Sequence, residues 1–167
     1  YANKHITTGE GGMICTNNLN FYLKSKSLRN LCFGKENRFN HDDLGWNYRM
    51  TNLQASMGLS QLSNINKVIK EKISIGKYYY DNLKKNQHIQ ILPPLKNNLK
   101  NIYWVVGIVI KNKKKKASEV IKILKKKGIA ARPFFWPMHK QKLLNKLKLV
   151  KSKKFPNSEY ISNYGLY

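Results

Sequence analysis

The apolar positions of the chain follow a helical period in two stretches. Residues 19–32 place leucines at positions 19, 23, 28 and 31 with lysines between them, a spacing that predicts a helix. Thr51 and Gln54 match the pattern of a capping box. The apolar spacing after them predicts one continuous helix from Thr51 to residue 85, with Gly76 on its apolar face as a candidate kink.

Shorter apolar runs predict strands at 13–15, 89–92, 102–110 and 128–135. The run 102–110 is the richest in β-branched and aromatic residues, and it predicts a buried central strand. Pro133 restricts the last of the four runs to a sheet edge. Between the last two runs, Ser118 is the expected N-cap and Gly128 the expected C′ residue of a helix.

Two further helices are predicted near the end of the chain, one over residues 140–149 and one that begins at Pro156. Strands and helices therefore alternate along the sequence. This order predicts an α/β or α+β fold.

One lysine near the start of the chain precedes a glycine-rich turn. Residues 3–13 read Asn-Lys-His-Ile-Thr-Thr-Gly-Glu-Gly-Gly-Met. The amine of Lys4 could act as a Schiff-base nucleophile after losing its proton. No Gly-Lys-Ser/Thr follows, so the segment is not a Walker phosphate loop. By itself, a lysine before a glycine turn is most often a solvated surface residue, and only the rest of the chain can change that interpretation.

A polar loop over residues 34–48 leads into the capped helix. It contains Arg38, the run 41–43 (His-Asp-Asp) and the run 45–49 (Gly-Trp-Asn-Tyr-Arg). A loop of this length in a small chain is usually functional or disordered, and the N-terminus of a helix favours anions. An ordinary connector with a good cap and an anion-binding loop both stay open at this point.

Residues 134–139 form an aromatic turn that reads Phe-Phe-Trp-Pro-Met-His. Hydrophobic packing between a strand and the following helix would account for it.

Three segments, 3–13, 41–55 and 134–139, resemble in order and spacing the signatures of the DegT/DnrJ/EryC1/StrS sugar aminotransferases. These are pyridoxal-phosphate enzymes of the aspartate-aminotransferase fold type, and the resemblance extends over essentially the whole chain. It implies an α/β fold, specifically the C-terminal part of the large domain of a fold type I transferase plus its small α/β domain.

The resemblance also implies roles for individual residues. Lys4 matches the catalytic lysine that carries pyridoxal 5'-phosphate. Asn47 matches an asparagine that reaches across a homodimer interface to the cofactor phosphate of the other subunit, so that the two subunits share each active site. Substrate-binding positions are matched by His41, Arg49, Trp136 and His139.

The reaction implied is transfer of an amino group, from glutamate or a similar amino-acid donor, to a nucleotide-linked 4-keto-6-deoxy sugar. The segment 133–139 and the loop of Trp46 and Asn47 look most like those of the perosamine-synthase branch. This likeness implies GDP-4-keto-6-deoxymannose as substrate and a place in polysaccharide biosynthesis such as O-antigen. The alternative in the same family is a non-catalytic sugar-nucleotide-binding member. Lys4 disfavours it, because such members replace this lysine.

The resemblance divides the chain into residues 1–50, the end of the cofactor-binding large domain, 51–85, a long connecting helix, and 86–167, a truncated small domain. The sequence begins without methionine and ends in an apolar run. We therefore expect an internal piece of a longer protein, which lacks the N-terminal cofactor-binding residues and is inactive alone.

The net charge of +24 comes from 32 basic and 8 acidic residues, and only four of the basic residues are arginine. A charge this positive suggests nucleic-acid binding as an alternative function. The lysines are spread over helix surfaces and turns together with many Asn and Ile residues, as an AT-rich coding sequence favours. No recognition motif accompanies them, so we expect no specific nucleic-acid partner.

The cysteine and histidine positions argue against a metal site. The two cysteines are 17 positions apart, and the histidines show no i, i+4 pair. The longest apolar run is too short to cross a membrane. We expect a cytoplasmic protein with no metal and no membrane partner.

Overall fold

The computed structural model describes residues 2–94, 99–150 and 154–167. The chain divides into two units, Tyr1–Ile69 and Lys70–Tyr167. Its elements, in chain order, are α1 (Leu19–Arg29), α2 (Asn52–Leu62), α3 (Ile65–Leu83), β1 (Ile89–Ile91), β2 (Ile108–Ile110), α4 (Ala117–Lys126), a 3-10 turn (Met138–Lys140), α5 (Lys142–Lys146), α6 (Pro156–Tyr164) and β3 (Gly165–Leu166). The domain boundaries expected at residues 50 and 85 stay a prediction.

Helix α1 confirms the predicted helix and ends earlier than predicted. Asn18 caps it, because its side-chain oxygen accepts a hydrogen bond from the backbone N–H of Phe21 at 3.1 Å. The helix ends at Arg29, since Leu31 and Cys32 have φ angles of 64° and 48°. A left-handed backbone cannot continue a right-handed helix. The predicted last turn, to residue 32, is therefore wrong.

The single helix predicted over residues 51–85 is two helices. The capping box is present, with Thr51 accepting from the N–H of Gln54 and the Gln54 side chain accepting from the N–H of Thr51. A two-residue turn, Ser63 and Asn64, separates α2 from α3. The Ser63 hydroxyl donates to the carbonyl of Ser60 at 2.7 Å, and such short polar side chains compete with helical hydrogen bonds.

Gly76 does not interrupt α3, and the kink expected there stays a prediction. The helix runs without interruption from Ile65 to Leu83. Gly76 is buried, and a Cβ at this position would lie 2.4 Å from the ring of Tyr103. The glycine therefore provides space for an aromatic side chain.

The strand predicted over residues 13–15 does not form within the described chain. These residues have no strand assignment, and Met13 and Ile14 are 86% and 74% exposed. A strand needs a hydrogen-bonding partner, and no other described segment pairs with this one.

The sheet is antiparallel, with three strands in the order β1-β2-β3. Strand β2 is central, as predicted, but it covers only Ile108–Ile110 instead of 102–110. Tyr103 has a φ of 48°, and its N–H donates to the side-chain oxygen of Asn101 at 2.9 Å. A local turn of this kind takes the backbone out of the extended conformation.

Of the edge strand predicted over residues 128–135, only residues 132–134 pair, with residues 165–167. Arg132 and Tyr167 exchange two backbone hydrogen bonds, and the N–H of Phe134 donates to the carbonyl of Gly165. A single bridge joins Pro133 to Leu166. The proline therefore lies at the edge of the sheet, as expected.

Helix α4 begins one residue before the expected cap Ser118. Its N-cap is Lys116, whose N–H donates to the carboxylate of Glu119 at 2.8 Å. Gly128 is the C′ residue, with a φ of 77°. Hydrogen bonds from Ile129 to Leu124 and from Gly128 to Lys125 complete a Schellman motif, which confirms the predicted end.

The core of the second unit lies between the sheet and its helices. Its buried residues are Ile110, Ala117 and Leu166, packed by partly buried residues of α4 and α6. The hydroxyl of Tyr160 donates to the carbonyl of Ile110 at 2.8 Å. The helix predicted over 140–149 is only α5 and the preceding 3-10 turn, whereas the predicted start at Pro156 is confirmed.

Candidate active site

The segment that carries Lys4 is attached to helix α2 by one side chain. Lys4 is exposed and lies in a bend. Three residues later, the N–H of Thr7 donates to Oε1 of Gln61 at 3.0 Å, and Nε2 of Gln61 donates to the carbonyl of Thr7 at 2.6 Å. Both backbone groups of Thr7 are therefore satisfied by one amide.

The glycine turn after Thr7 is tight and lies close against α2. The Thr8 hydroxyl donates to the carbonyl of Glu10 at 2.7 Å, and Gly9 and Gly11 have φ angles of 81° and 148°. A Cβ at Gly58 would lie 3.0 Å from the methyl group of Thr8. The small residue in α2 thus permits the close approach of the turn.

The loop that carries Asn47 is joined to the end of α1. The N–H of Trp46 donates to the carbonyl of Leu28 at 2.7 Å, and the N–H of Tyr48 donates to that of Arg29 at 3.0 Å. Asn47 forms an isolated bridge with Asn30. These backbone contacts hold Asn47 between two residues that are bonded to the helix.

Arg49 orients the side chain of Asn47. Its Nε donates to Oδ1 of Asn47 at 2.8 Å, and both side chains are exposed. Because Nε of arginine can only donate, the contact identifies the oxygen of the amide. The NH₂ group is then the end of Asn47 that can donate to an anion.

His41 lies in the same unit but makes structural contacts. Its Nδ1 is 2.6 Å from the carbonyl oxygen of Leu31, and its ring packs against Phe33 with centroids 5.2 Å apart. Nearby, the ammonium of Lys24 pairs with Asp43 at 2.5 Å. This hydrogen bond, with a second from the N–H of Leu44, lowers the pKa of Asp43.

Trp136 and His139 lie in the second unit. The indole N–H of Trp136 donates to the carbonyl of Lys140 at 2.9 Å, and the residue is 58% exposed. Nε2 of His139 is 3.1 Å from Glu159, which also accepts from Lys140 at 2.6 Å. The hydrogen bonds from Lys140 and then His139 lower the pKa of Glu159 to about 2.

His139 also lines an open cleft of the second unit. The cleft is bordered mainly by apolar side chains of the segment 138–158, and the ring of His139 packs on Phe155 with centroids 4.8 Å apart. The structure thus places Lys4, His41, Asn47 and Arg49 in the first unit, and Trp136 and His139 in the second.

Sequence reasoning missed Gln61, although a signal for it was present. Gln54, Gly58 and Gln61 are spaced i, i+4 and i+7, so they share one face of α2. Nε2 of Gln54 donates to the carbonyl of Glu10 at 3.4 Å. The glycine allows another backbone to approach this face, and each amide has a donor and an acceptor to offer it.

Neither a metal-binding cluster nor a membrane-spanning helix is present among the residues that the structure describes. These residues contain no group of three or more His, Cys, Asp or Glu side chains that could hold a metal ion. Among the same residues, no helix is both long and apolar enough to cross a membrane.

Comparison with curated proteins gives relatives that are longer than this chain. GDP-perosamine synthase from Escherichia coli O157:H7 is 34% identical over 139 residues, which are 83% of this chain and 37% of the relative. GDP-perosamine synthase from Vibrio cholerae is 32% identical over 167 residues, 99% of this chain and 44% of the relative. The chain therefore spans less than half the length of these relatives.

A solved structure has the same fold. It is the E. coli GDP-4-keto-6-deoxy-D-mannose-3-dehydratase with bound hydrated PLP, which matches 98% of this chain and 46% of its own chain with a TM-score of 0.81 and 20% identity. This similarity confirms the expected α/β fold of type I pyridoxal-phosphate enzymes. The profile of the DegT/DnrJ/EryC1/StrS aminotransferase family matches residues 1–167, and the chain belongs to that family.

Proposed function

We propose that this chain is part of a pyridoxal-phosphate-dependent aminotransferase that acts on a nucleotide sugar. The observation that carries the proposal is Lys4, a primary amine on a segment attached to α2 through Thr7 and Gln61. Membership in an aminotransferase family supports it. The names of the relatives also disfavour the alternative of a non-catalytic sugar-nucleotide-binding protein.

The described residues fit pyridoxal phosphate in two respects. Lys4 supplies the amine for covalent attachment. Asn47 supplies an amide donor, whose NH₂ end is set by the contact of its oxygen with Arg49, and such a donor suits a phosphate oxygen. We propose that Asn47 serves the cofactor of a second subunit in a homodimer.

Lys4 has two roles in the proposed amino-group transfer. When bound, pyridoxal phosphate supplies the electron sink for amino-group transfer. Lys4 would hold the cofactor through its amine and, as a free amine, would take up and return a proton. The surplus of basic residues gives a field that favours the anionic cofactor and a nucleotide diphosphate.

We propose GDP-4-keto-6-deoxymannose as the sugar substrate and glutamate as the amino donor. Two relatives that are 32% and 34% identical are GDP-perosamine synthases, which supports this choice among nucleotide sugars. Trp136, His139, His41 and Arg49 are the proposed substrate contacts. His41 and His139 would act from positions where Leu31 and Glu159 already hold their rings. A cytoplasmic location and a role in O-antigen synthesis belong to the same proposal.

The decisive experiment is the spectrum of the full-length protein. With pyridoxal phosphate it should show a near-visible absorbance band, and Lys4→Ala should lose this band while it retains the fold by circular dichroism. Lys67→Ala is the matched control, because it removes an exposed lysine of the same unit. A band that persists in Lys4→Ala would contradict the proposal.

A further inference from the structure

The amide of Gln61 makes the contacts that a neighbouring strand would otherwise make. Its Oε1 accepts from the N–H of Thr7 and its Nε2 donates to the carbonyl of Thr7, at 3.0 and 2.6 Å. Nε2 also donates to the carbonyl of Met57 within α2 at 2.8 Å. The amide of Gln61 is therefore held by two segments, its own helix through Met57 and the Lys4 segment through Thr7.

The backbone of the segment that follows Lys4 is irregular. Residues 7–16 have no regular secondary structure, and three of residues 9–12 are glycine. Glycine increases the number of backbone conformations available to such a segment. A contact that restrains both the N–H and the carbonyl of Thr7 therefore restrains the chain three residues from Lys4.

The other amide on this face of α2 has a different task. Oε1 of Gln54 accepts from the N–H of Thr51 in the capping box, and its Nε2 reaches Glu10 at 3.4 Å. Gly58 lies between the two glutamines and allows the segment to approach the helix. Gln61 makes two hydrogen bonds to this segment, and both are shorter than the one from Gln54.

We propose that Gln61 is the positioning residue for Lys4, an inference that rests on the proposed function of Lys4. Gln61 holds the segment in the register that presents the amine of Lys4 to the cofactor. Because its contacts are with backbone atoms, the role depends on the amide of Gln61 and not on the side chain of Thr7. Gln61 itself takes no part in proton transfer.

The test uses the full-length protein with Gln61→Leu, Gln61→Glu and the control Ser60→Ala, an exposed neighbour on the same helix. Gln61→Leu removes both contacts with Thr7. Gln61→Glu retains an acceptor for the N–H of Thr7 but has no donor for its carbonyl. Amide hydrogen exchange of the apoprotein over residues 4–10 should be faster in both Gln61 variants and unchanged in Ser60→Ala.

The cofactor gives the second readout. We expect Gln61→Leu to bind pyridoxal phosphate about tenfold more weakly, which is the effect of losing one or two hydrogen bonds. We also expect a shift in the pH midpoint of the near-visible band, the pH at which half of its absorbance is lost. A purely structural residue would lower the melting temperature but leave that midpoint unchanged. If Gln61→Leu does not fold, Gln61→Glu is measured instead. We expect it to lose less cofactor affinity and to show a smaller shift of the band.

The outcomes separate this inference from the proposed function. Wild-type cofactor affinity and an unshifted band in a folded Gln61 variant would overturn the positioning role, whatever the exchange data show. A band retained in Lys4→Ala would instead overturn the proposed function and, with it, the cofactor part of the inference. Loss of the band in Lys4→Ala together with a shifted band in Gln61→Leu supports both.

Discussion

Gly45 lies against the backbone of Cys32, so closely that no side chain fits between them. A Cβ at Gly45 would be 2.5 Å from the nitrogen of Cys32 and 2.9 Å from its sulfur. Cys32 is only 1% exposed. This contact closes the base of the loop that carries Asn47.

Replacement of Gly45 by alanine should therefore destabilise the loop. Because the atoms nearest to the added methyl group are backbone atoms, we expect a loss of about 1–3 kcal/mol in the free energy of unfolding, as for other overpacked sites. Gly12→Ala is the matched control, since a Cβ there has no atom within 4 Å. Equal unfolding free energies for the two variants in urea would contradict the prediction.

The contact between Gly76 and Tyr103 gives a second prediction, in which two effects have opposite signs. Alanine is better than glycine in a helix by about 1 kcal/mol, but a Cβ at Gly76 would lie 2.4 Å from the ring of Tyr103. Tyr103 is 8% exposed and has little space to move. We expect the steric effect to prevail, so that Gly76→Ala destabilises the protein.

A double-mutant cycle separates these two effects. In a Tyr103→Ala background the ring is absent, and Gly76→Ala should then stabilise α3 by its helix propensity. The measurement is the free energy of unfolding of the four proteins in urea. The same sign for Gly76→Ala in both backgrounds would show that the ring contact does not determine the effect.

The carboxylate of Glu159 should make stability depend on pH. Its pKa is lowered to about 2 by hydrogen bonds from Lys140 and His139, against 4.5 for an unperturbed glutamate. A depressed pKa in the folded protein gives stability that is present above pH 4.5 and lost as the pH falls through 2. The carboxylate is partly exposed, so solvent reduces the effect.

Glu159→Gln tests this dependence, because it removes the charge and keeps the shape. The difference in unfolding free energy between wild type and variant should be largest above pH 4.5 and should shrink toward pH 2. Glu36→Gln makes the same change at an exposed carboxyl of the loop 34–48 and controls for total charge. A difference that stays constant with pH would contradict the assigned cause.

The proposed sharing of the active site predicts complementation. Lys4→Ala and Asn47→Ala should each inactivate the full-length homodimer, but their heterodimer should hold one site with both residues intact. Mixed subunits should therefore recover part of the activity, up to about a quarter of wild type if subunits pair at random, a value that follows from symmetric pairing. Lys4→Ala mixed with itself is the control, and no recovery in isolated heterodimers would argue against sharing.

Local sequence signals determined three helix ends of this protein, the starts of α2 and α6 and the end of α4. The capping box of Thr51 and Gln54 and the Schellman turn at Gly128 depend on residues at most a few positions apart. Their hydrogen bonds form wherever the local chain adopts the matching angles. For this reason both could be predicted, as could the start of α6 at Pro156.

The tertiary structure decided which apolar runs become strands, because a strand depends on a partner that local sequence does not identify. Residues 13–15 have strand-forming composition but no partner among the described residues. Residues 102–107 stay outside the sheet, because Asn101 and Tyr103 form a local turn. The contact of Gln61 with Thr7 joins residues 54 positions apart. The spacing on α2 allowed such a contact, but only the folded chain specifies which backbone segment those amides bind.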